Sequence, residues 1–352
     1  YTSVEAYQAS IEPQRTRFQT VIGAVDPRIT TETKKGSLVV SHFELVATPA
    51  RDSTIARDDR IVVHRVRWPV LEGVTAEGLL LVPQHIRAAV VALPDADWSP
   101  EMLCGLAETD PTSADALPSI PLPRRLAAAG CLVVIPTLIS RSDEYSGHPD
   151  VGYTNQPHRE FLYRQAFEVG RHVIGYEVQK ILAAVDLLER YSQGKHFTRL
   201  GAATSGSEKS EPHSDTVLSI GVAGVGEGGL LALHAAAIDP RIRSTMVSGY
   251  FQQRESLWRE PIYRNVWGLL SDFGDADIAS LIAPRRLVVE ASLSPEIDGP
   301  PQAREGRRSV AAPGRIVSPA LDSVEREFAS AAAHYLSLSN ESELQLVVSG
   351  DQ

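Results

Sequence analysis

The chain has 352 residues, 43% of them hydrophobic and 22% charged, enough apolar material to bury the core of one large α/β domain. Its net charge of −10 is spread along the chain, and no basic run exceeds Arg124-Arg125 or Lys34-Lys35, which argues against nucleic acid as a partner. The apolar runs at 88–93 and 131–135 have the length of buried strands and fall short of the roughly 18 residues of a membrane span.

Residues 3–22 carry apolar side chains at Val4, Tyr7, Ile11, Phe18 and Ile22, the spacing of an amphipathic helix. Two β-rich stretches follow, 38–47 and 60–69, and the second turns at Glu72-Gly73 into 76–83 as a hairpin. From Ala88 onward short β-branched runs alternate with helical segments, the texture of a mostly parallel, doubly wound α/β sheet. Strands are expected at 89–93, 132–135, 217–223, 244–248, 287–291 and 344–348. One long helix is expected over 159–191, and 201–214 and 299–314 read as mobile surface loops. The chain divides on this reading into an N-terminal helix and β extension, 1–59, and a main domain, 60–352.

Cys104 and Cys131 allow at most one disulfide, and neither has a nearby Cys or His at metal-ligand spacing; the expectation for the chain is no cofactor and no resident metal. The sequence begins at Tyr1 and ends at Gln352, just after an apolar strand pattern. These features suggest a processed, exported protein and a further segment or domain beyond Gln352.

Residues 217–234 combine a buried strand, a glycine-rich turn and a helix, the setting of the Gly-x-Ser-x-Gly nucleophile elbow. Where that pattern has serine, this chain has Gly226, which offers no side chain to attack a carbonyl. The same letters spell Gly-x-Gly-x-x-Gly at 224, 226 and 229, a dinucleotide-binding fingerprint. That reading calls for an acid at the end of the next strand, and the chain there continues as Gly249-Tyr250-Phe251.

Several segments in this order carry a family resemblance: Leu93-Pro94-Asp95-Ala96-Asp97, Gly170-Arg171-His172-Val173-Ile174-Gly175, the elbow, Ala235 to Ile242, Val247 to Phe251, and Ile282-Ala283-Pro284-Arg285-Arg286-Leu287. From Arg67 to its end the chain resembles the α/β-hydrolase superfamily, in particular dienelactone-hydrolase-like and acetyl-xylan-esterase-like bacterial esterases. The resemblance implies an α/β-hydrolase fold and a small ester or carbohydrate ligand. It also implies a catalytic triad, onto which this chain maps poorly. Gly226 stands at the nucleophile position, and Glu296 and Asp298 are the carboxylates available for the acid. The histidine would follow the last strand, where the chain reads Ser349-Gly350-Asp351-Gln352; the one histidine after residue 290 is His334. The expectation is a degenerate hydrolase domain that binds a ligand or assists a partner domain, with a working esterase using non-standard groups as the alternative.

Glu227 would favour the start of the following helix through the helix dipole, act as a base, or bind a cation in the pocket. Asp95 and Asp97 follow the first parallel strand on the same rim, as turn formers or, with Glu227, as a polar or metal-binding cluster that contacts a ligand. His148 and His158 belong to a polar insert after the 132–135 strand, and Trp258 and Tyr263 to a segment suited to a pocket wall or a sugar ring. Arg171 would hold a carboxylate, from a ligand or from within the protein.

Overall fold

The computed structural model describes residues 3–29, 31–34, 37–40, 42–106, 121–144, 154–192 and 218–349. Helix α1 (Val4–Val21) opens the chain, its first turn capped by the Ser3 hydroxyl, which accepts the Ala6 N–H. A small hairpin of β1 (Thr31–Lys34) and β2 (Ser37–Val40) forms a separate two-stranded sheet. Short β3 (Glu44–Leu45) and β4 (Thr54–Arg57) then lie against β5 (Ile61–Leu71), which pairs antiparallel with β6 (Val74–Pro83) across the Glu72-Gly73 turn.

The remaining elements alternate. They are β7 (Ala88–Leu93), α2 (Pro100–Leu103), α3 (Leu122–Ala128), β8 (Cys131–Pro136), α4 (His158–Glu168), α5 (Val173–Ser192), β9 (Ser219–Val225) and α6 (Glu227–Ile238), followed by β10 (Ile242–Ser248), α7 (Leu269–Asp272), α8 (Asp275–Ser280), β11 (Arg286–Ala291), α9 (Leu321–Leu336) and β12 (Leu344–Val348). The main sheet runs β12-β11-β10-β9-β7-β8-β6-β5-β3, with β8 through β12 mutually parallel and β6 antiparallel to β8. The order doubles back at β7 and β8, so strand ends at 93, 225 and 248 converge on one edge, where a crossover sheet exposes its loops.

The core lies mainly on one face of the sheet. Val91, Leu132, Val222, Val247 and Leu287 point into it, each at most 2% exposed, against α1, α5, α6 and α9. Every residue of α6 is buried, as its apolar composition all round requires. Helix α1 is tied to this layer by the Tyr7 hydroxyl on the Ser280 carbonyl and by Arg15, which donates to the carbonyls of Ala237 and Leu281.

Two sequence expectations change. The long helix divides into α4 and α5, because the chain turns at Gly170, whose φ of +66° lies in the left-handed region that glycine enters without strain. The apolar stripe continues across the break and hides it. The 299–314 segment is a fixed strap rather than a loose loop: the Val310 N–H donates to Asn155 Oδ1 at 2.9 Å and the Ala312 N–H to both Glu160 oxygens at 3.0 Å. The expected loop at 201–214 lies outside the described residues.

Candidate functional site

The turn between β9 and α6 has the elbow shape. Gly226 sits at φ 56°, ψ −117°, with its N–H on the Ser248 carbonyl at 3.0 Å and its carbonyl receiving the Leu230 N–H. An L residue enters this part of the map only under strain, so glycine here relieves what a serine would store. No side chain is offered at the apex.

The space above the apex is occupied. A Cβ built on Gly226 would lie 2.5 Å from Asp95 Oδ1. That oxygen also accepts the Glu227 N–H at 2.9 Å, the backbone donor that in an elbow serves a developing oxyanion. Asp95 is 1% exposed and is clamped by Arg141, whose two terminal nitrogens reach both carboxylate oxygens. Burial pushes the Asp95 carboxyl up, but the Arg141 charge and hydrogen bonds outweigh it and hold the group below the usual carboxylate range.

Glu227 points away from the apex into a cage of three arginines. Arg159 donates to Oε1 at 2.8 Å, and Arg264 and Arg141 donate to Oε2 at 2.8 and 3.1 Å. The carboxylate is fully buried; desolvation raises its pKa, and the combined field of Arg159, Arg264 and Arg141 holds it well below the ordinary value. Arg159 also pairs with Glu177 at 2.7 Å and Arg264 with Glu260 at 3.0 Å, so the cluster alternates in sign. A carboxylate so paired is a poor proton acceptor at neutral pH.

A cavity of about 440 Å³ lies beside this cluster. Asp97, Ser140, Arg141, Ser142, Glu160 and Tyr263 supply its polar lining, and Pro157, Pro261, Pro300 and Pro301 its walls, with the 299–314 strap along one side. Asp97 links cavity and plug, accepting the Arg141 N–H at 2.8 Å and the Arg141 guanidinium at 3.1 Å. Tyr263 is buried at 2% exposure and lines the cavity beside the cluster.

The structure therefore brings Asp95, Asp97, Glu227 and Tyr263 together. His158 opens α4, half-buried; burial, then Lys180 and Arg159, lower its pKa. Trp258 is 72% exposed, with the Arg259 guanidinium 5.0 Å from its ring centre. Glu296 is exposed and accepts the Ser318 N–H, and Asp298 forms an exposed pair with Arg315, so neither bonds to the elbow. His334 sits on α9, and His148 lies outside the described residues. Arg171 forms a two-pronged pair with Asp26. The arginines at 141, 159 and 264 carry the site's electrostatics. Each comes from a different segment, so no spacing pattern announces them.

The Gly-x-Gly-x-x-Gly reading has a structural counterpart of another kind. The glycines at 224 and 228 allow close packing, since a Cβ on Gly224 would strike the Gly228 carbonyl and one on Gly228 those of Leu93 and Pro94. The leading N–H of α6, where a pyrophosphate would sit, is taken by Asp95. Among the described residues no group of His, Cys, Asp and Glu has the arrangement of a metal site, and no helix is long and apolar enough to cross a membrane.

No protein-family model matches the chain, and no curated protein matches it by sequence. Solved structures do. A putative acetyl xylan esterase from Bacteroides fragilis superposes with a TM-score of 0.61 at 13% identity, covering 99% of this chain and 76% of its own. A methylesterase gives 0.57 at 12% identity over 100% of this chain, which spans only 61% of that protein. A glucuronoyl esterase from Solibacter usitatus gives 0.51 at 11% identity over 99% and 89%. The sheet order, the turn after β9 and these superpositions together make the chain a protein of the α/β-hydrolase fold.

Proposed function

We propose that this is a non-hydrolytic member of the α/β-hydrolase fold that binds an uncharged, hydroxyl-bearing ligand, such as an esterified sugar, in the cavity beside Arg141. The observation that carries the reading is the Asp95 carboxylate on the Glu227 N–H: the donor that would stabilise a tetrahedral intermediate is already satisfied by a buried anion of the protein itself. Acyl transfer needs a nucleophile and a vacant oxyanion site, and the elbow offers neither.

The ligand class follows from the cavity's chemistry. Arg141 is neutralised by Asp95, Asp97 and Glu227, so it offers little to an anion, while Asp97, Ser140, Ser142 and the Tyr263 hydroxyl suit hydroxyl groups. Proline and tyrosine walls suit the C–H faces of a ring. The names of the superposed structures, an acetyl xylan esterase and a glucuronoyl esterase, support a sugar ester as the first ligand to try.

The test is calorimetric titration with acetylated xylo-oligosaccharides, with the mixture analysed by mass spectrometry. Saturable binding, weakened about tenfold by Tyr263→Phe, with the acetyl groups intact, supports the reading. Deacetylation that vanishes in Glu227→Gln supports the alternative of a working esterase with a non-standard base, and absence of binding removes the ligand claim.

A further inference from the structure

Between β11 and α9 the chain leaves the body and returns to it at one point. Ile297 and Ile316 exchange two backbone hydrogen bonds of 2.9 Å, and Ile316 is 2% exposed, so the neck of the 298–315 strap is anchored in the fold. Beyond the neck the hold is of another kind. Among the described residues no side chain from 298 to 315 is buried, and none belongs to the hydrophobic core.

The strap is fastened by polar contacts to three buried side chains of the body. Asn155 Oδ1 accepts the N–H groups of Val310 and Ala311 at 2.9 and 3.1 Å, and its Nδ2 donates to the Pro301 carbonyl at 2.7 Å. Glu160 accepts the Ala312 N–H, and Asp143 accepts from Arg304 at 3.0 Å and from Arg307 at 2.8 Å. Each of these bonds exchanges for a bond to water when the strap lifts, whereas an apolar side chain seated in the core would have to be drawn into water. A segment with few buried apolar contacts opens far more readily than the whole fold.

Two glycines stand where such a segment would bend. Gly299 and Gly314 each lie two residues inside the neck, at φ +106° and +155°, in backbone conformations that other residues rarely adopt. Pro300, Pro301 and Pro313 stiffen the chain directly beside them. Gly299, Pro300, Pro301, Ala312 and Gly314 also form one side of the cavity beside Arg141, so bending at the two glycines moves that wall.

We infer that 298–315 is a lid, hinged at Gly299 and Gly314 and latched by Asp143, Asn155 and Glu160, and that the cavity takes up its ligand with the lid raised. Closing restores the latch and sets Pro300 and Pro301 against the bound ring. The uptake route rests on the reading of this cavity as the ligand site; the motion does not.

Both are tested on the whole chain without a sugar. Residue-resolved amide hydrogen exchange is expected to be at least ~100-fold faster at Val310, Ala311 and Ala312 than at Ile297 and Ile316. Equal protection at the two sets of amides makes the strap part of the rigid body and overturns the inference. Thr154 and Arg308 pair as a parallel β-bridge, which sets their Cα atoms about 5 Å apart, within the span of a disulfide. Oxidised Thr154→Cys/Arg308→Cys therefore locks the lid. Ser140→Cys, on the cavity lining, reports access, read by mass mapping of position 140 after treatment with a bulky maleimide. The cross-link is expected to slow labelling at 140 at least ~10-fold relative to Ser140→Cys alone, and Asn155→Ala to speed it with the Ile297 and Ile316 amides still protected. Labelling indifferent to both changes overturns the uptake route. Neither readout uses the sugar ester, so loss of the ligand reading and loss of the lid are separate results.

Discussion

Asp95 Oδ1 lies where residue 226 would need to place a Cβ, and the same oxygen accepts the N–H of residue 227. One carboxylate thereby fills both the nucleophile's space and the oxyanion donor. The glycine at 226 and the carboxylate above it form a single arrangement, with consequences for any attempt to place a serine there.

Gly226→Ser is expected to destabilise the fold by about 1–3 kcal/mol, since the new Cβ meets a clamped carboxylate at a backbone conformation strained for L residues. Thermal denaturation should show a lower Tm, with no gain of esterase activity. An unchanged Tm would mean that Asp95 moves aside freely.

Removing Glu227 uncovers three buried arginines. Glu227→Ala should cost about 3–5 kcal/mol in urea unfolding, the usual penalty for leaving buried charge uncompensated. Glu227→Gln, which keeps the shape, should cost less. Indifference to both substitutions would show that water reaches the cage.

Arg141→Leu tests the clamp from its other side. Without the guanidinium, desolvation dominates and the Asp95 carboxyl pKa rises, which carbon-13 NMR of the carboxyl group can follow. The variant should also lose stability at neutral pH by about 3–5 kcal/mol. An Asp95 that titrates as in wild type would place its stabilisation elsewhere, in the Glu227 N–H.

Two buried histidines set the acid side of the stability profile. Burial lowers His172 to about 3 and His234 to about 4, against an ordinary value of 6.5. The unfolded chain therefore binds more protons as pH falls below 6.5, and folding stability drops by about 1.4 kcal/mol per pH unit for each histidine until its folded value is reached. His234→Gln should lower this slope between pH 6 and 4.5, with His172, His64 and His158, also lowered by burial, supplying the remainder. A flat profile across that window would contradict the assigned burial.

The sheet was legible because its strands are short β-branched runs, and 344–348 and 287–291 appear as β12 and β11 with the same bounds or within one residue. The Gly170 break was not, because the apolar stripe of 161–188 carries straight through a turn that only one glycine marks. At the site, Gly226 and Glu227 are visible from the elbow spacing. Asp95 was visible only as a rim residue, since nothing local says that a side chain 131 positions earlier fills the apex. The arginines at 141, 159 and 264 converge by tertiary folding alone, from the polar insert, the start of α4 and the segment after β10.

Turnover of 4-nitrophenyl acetate by the wild-type chain, beside Glu227→Gln, tests the plugged elbow most directly. The expected result is a rate for both proteins no greater than that of buffer with an equal concentration of free imidazole. Saturable turnover by wild type that disappears in Glu227→Gln would contradict the account and make the caged carboxylate part of a working active site.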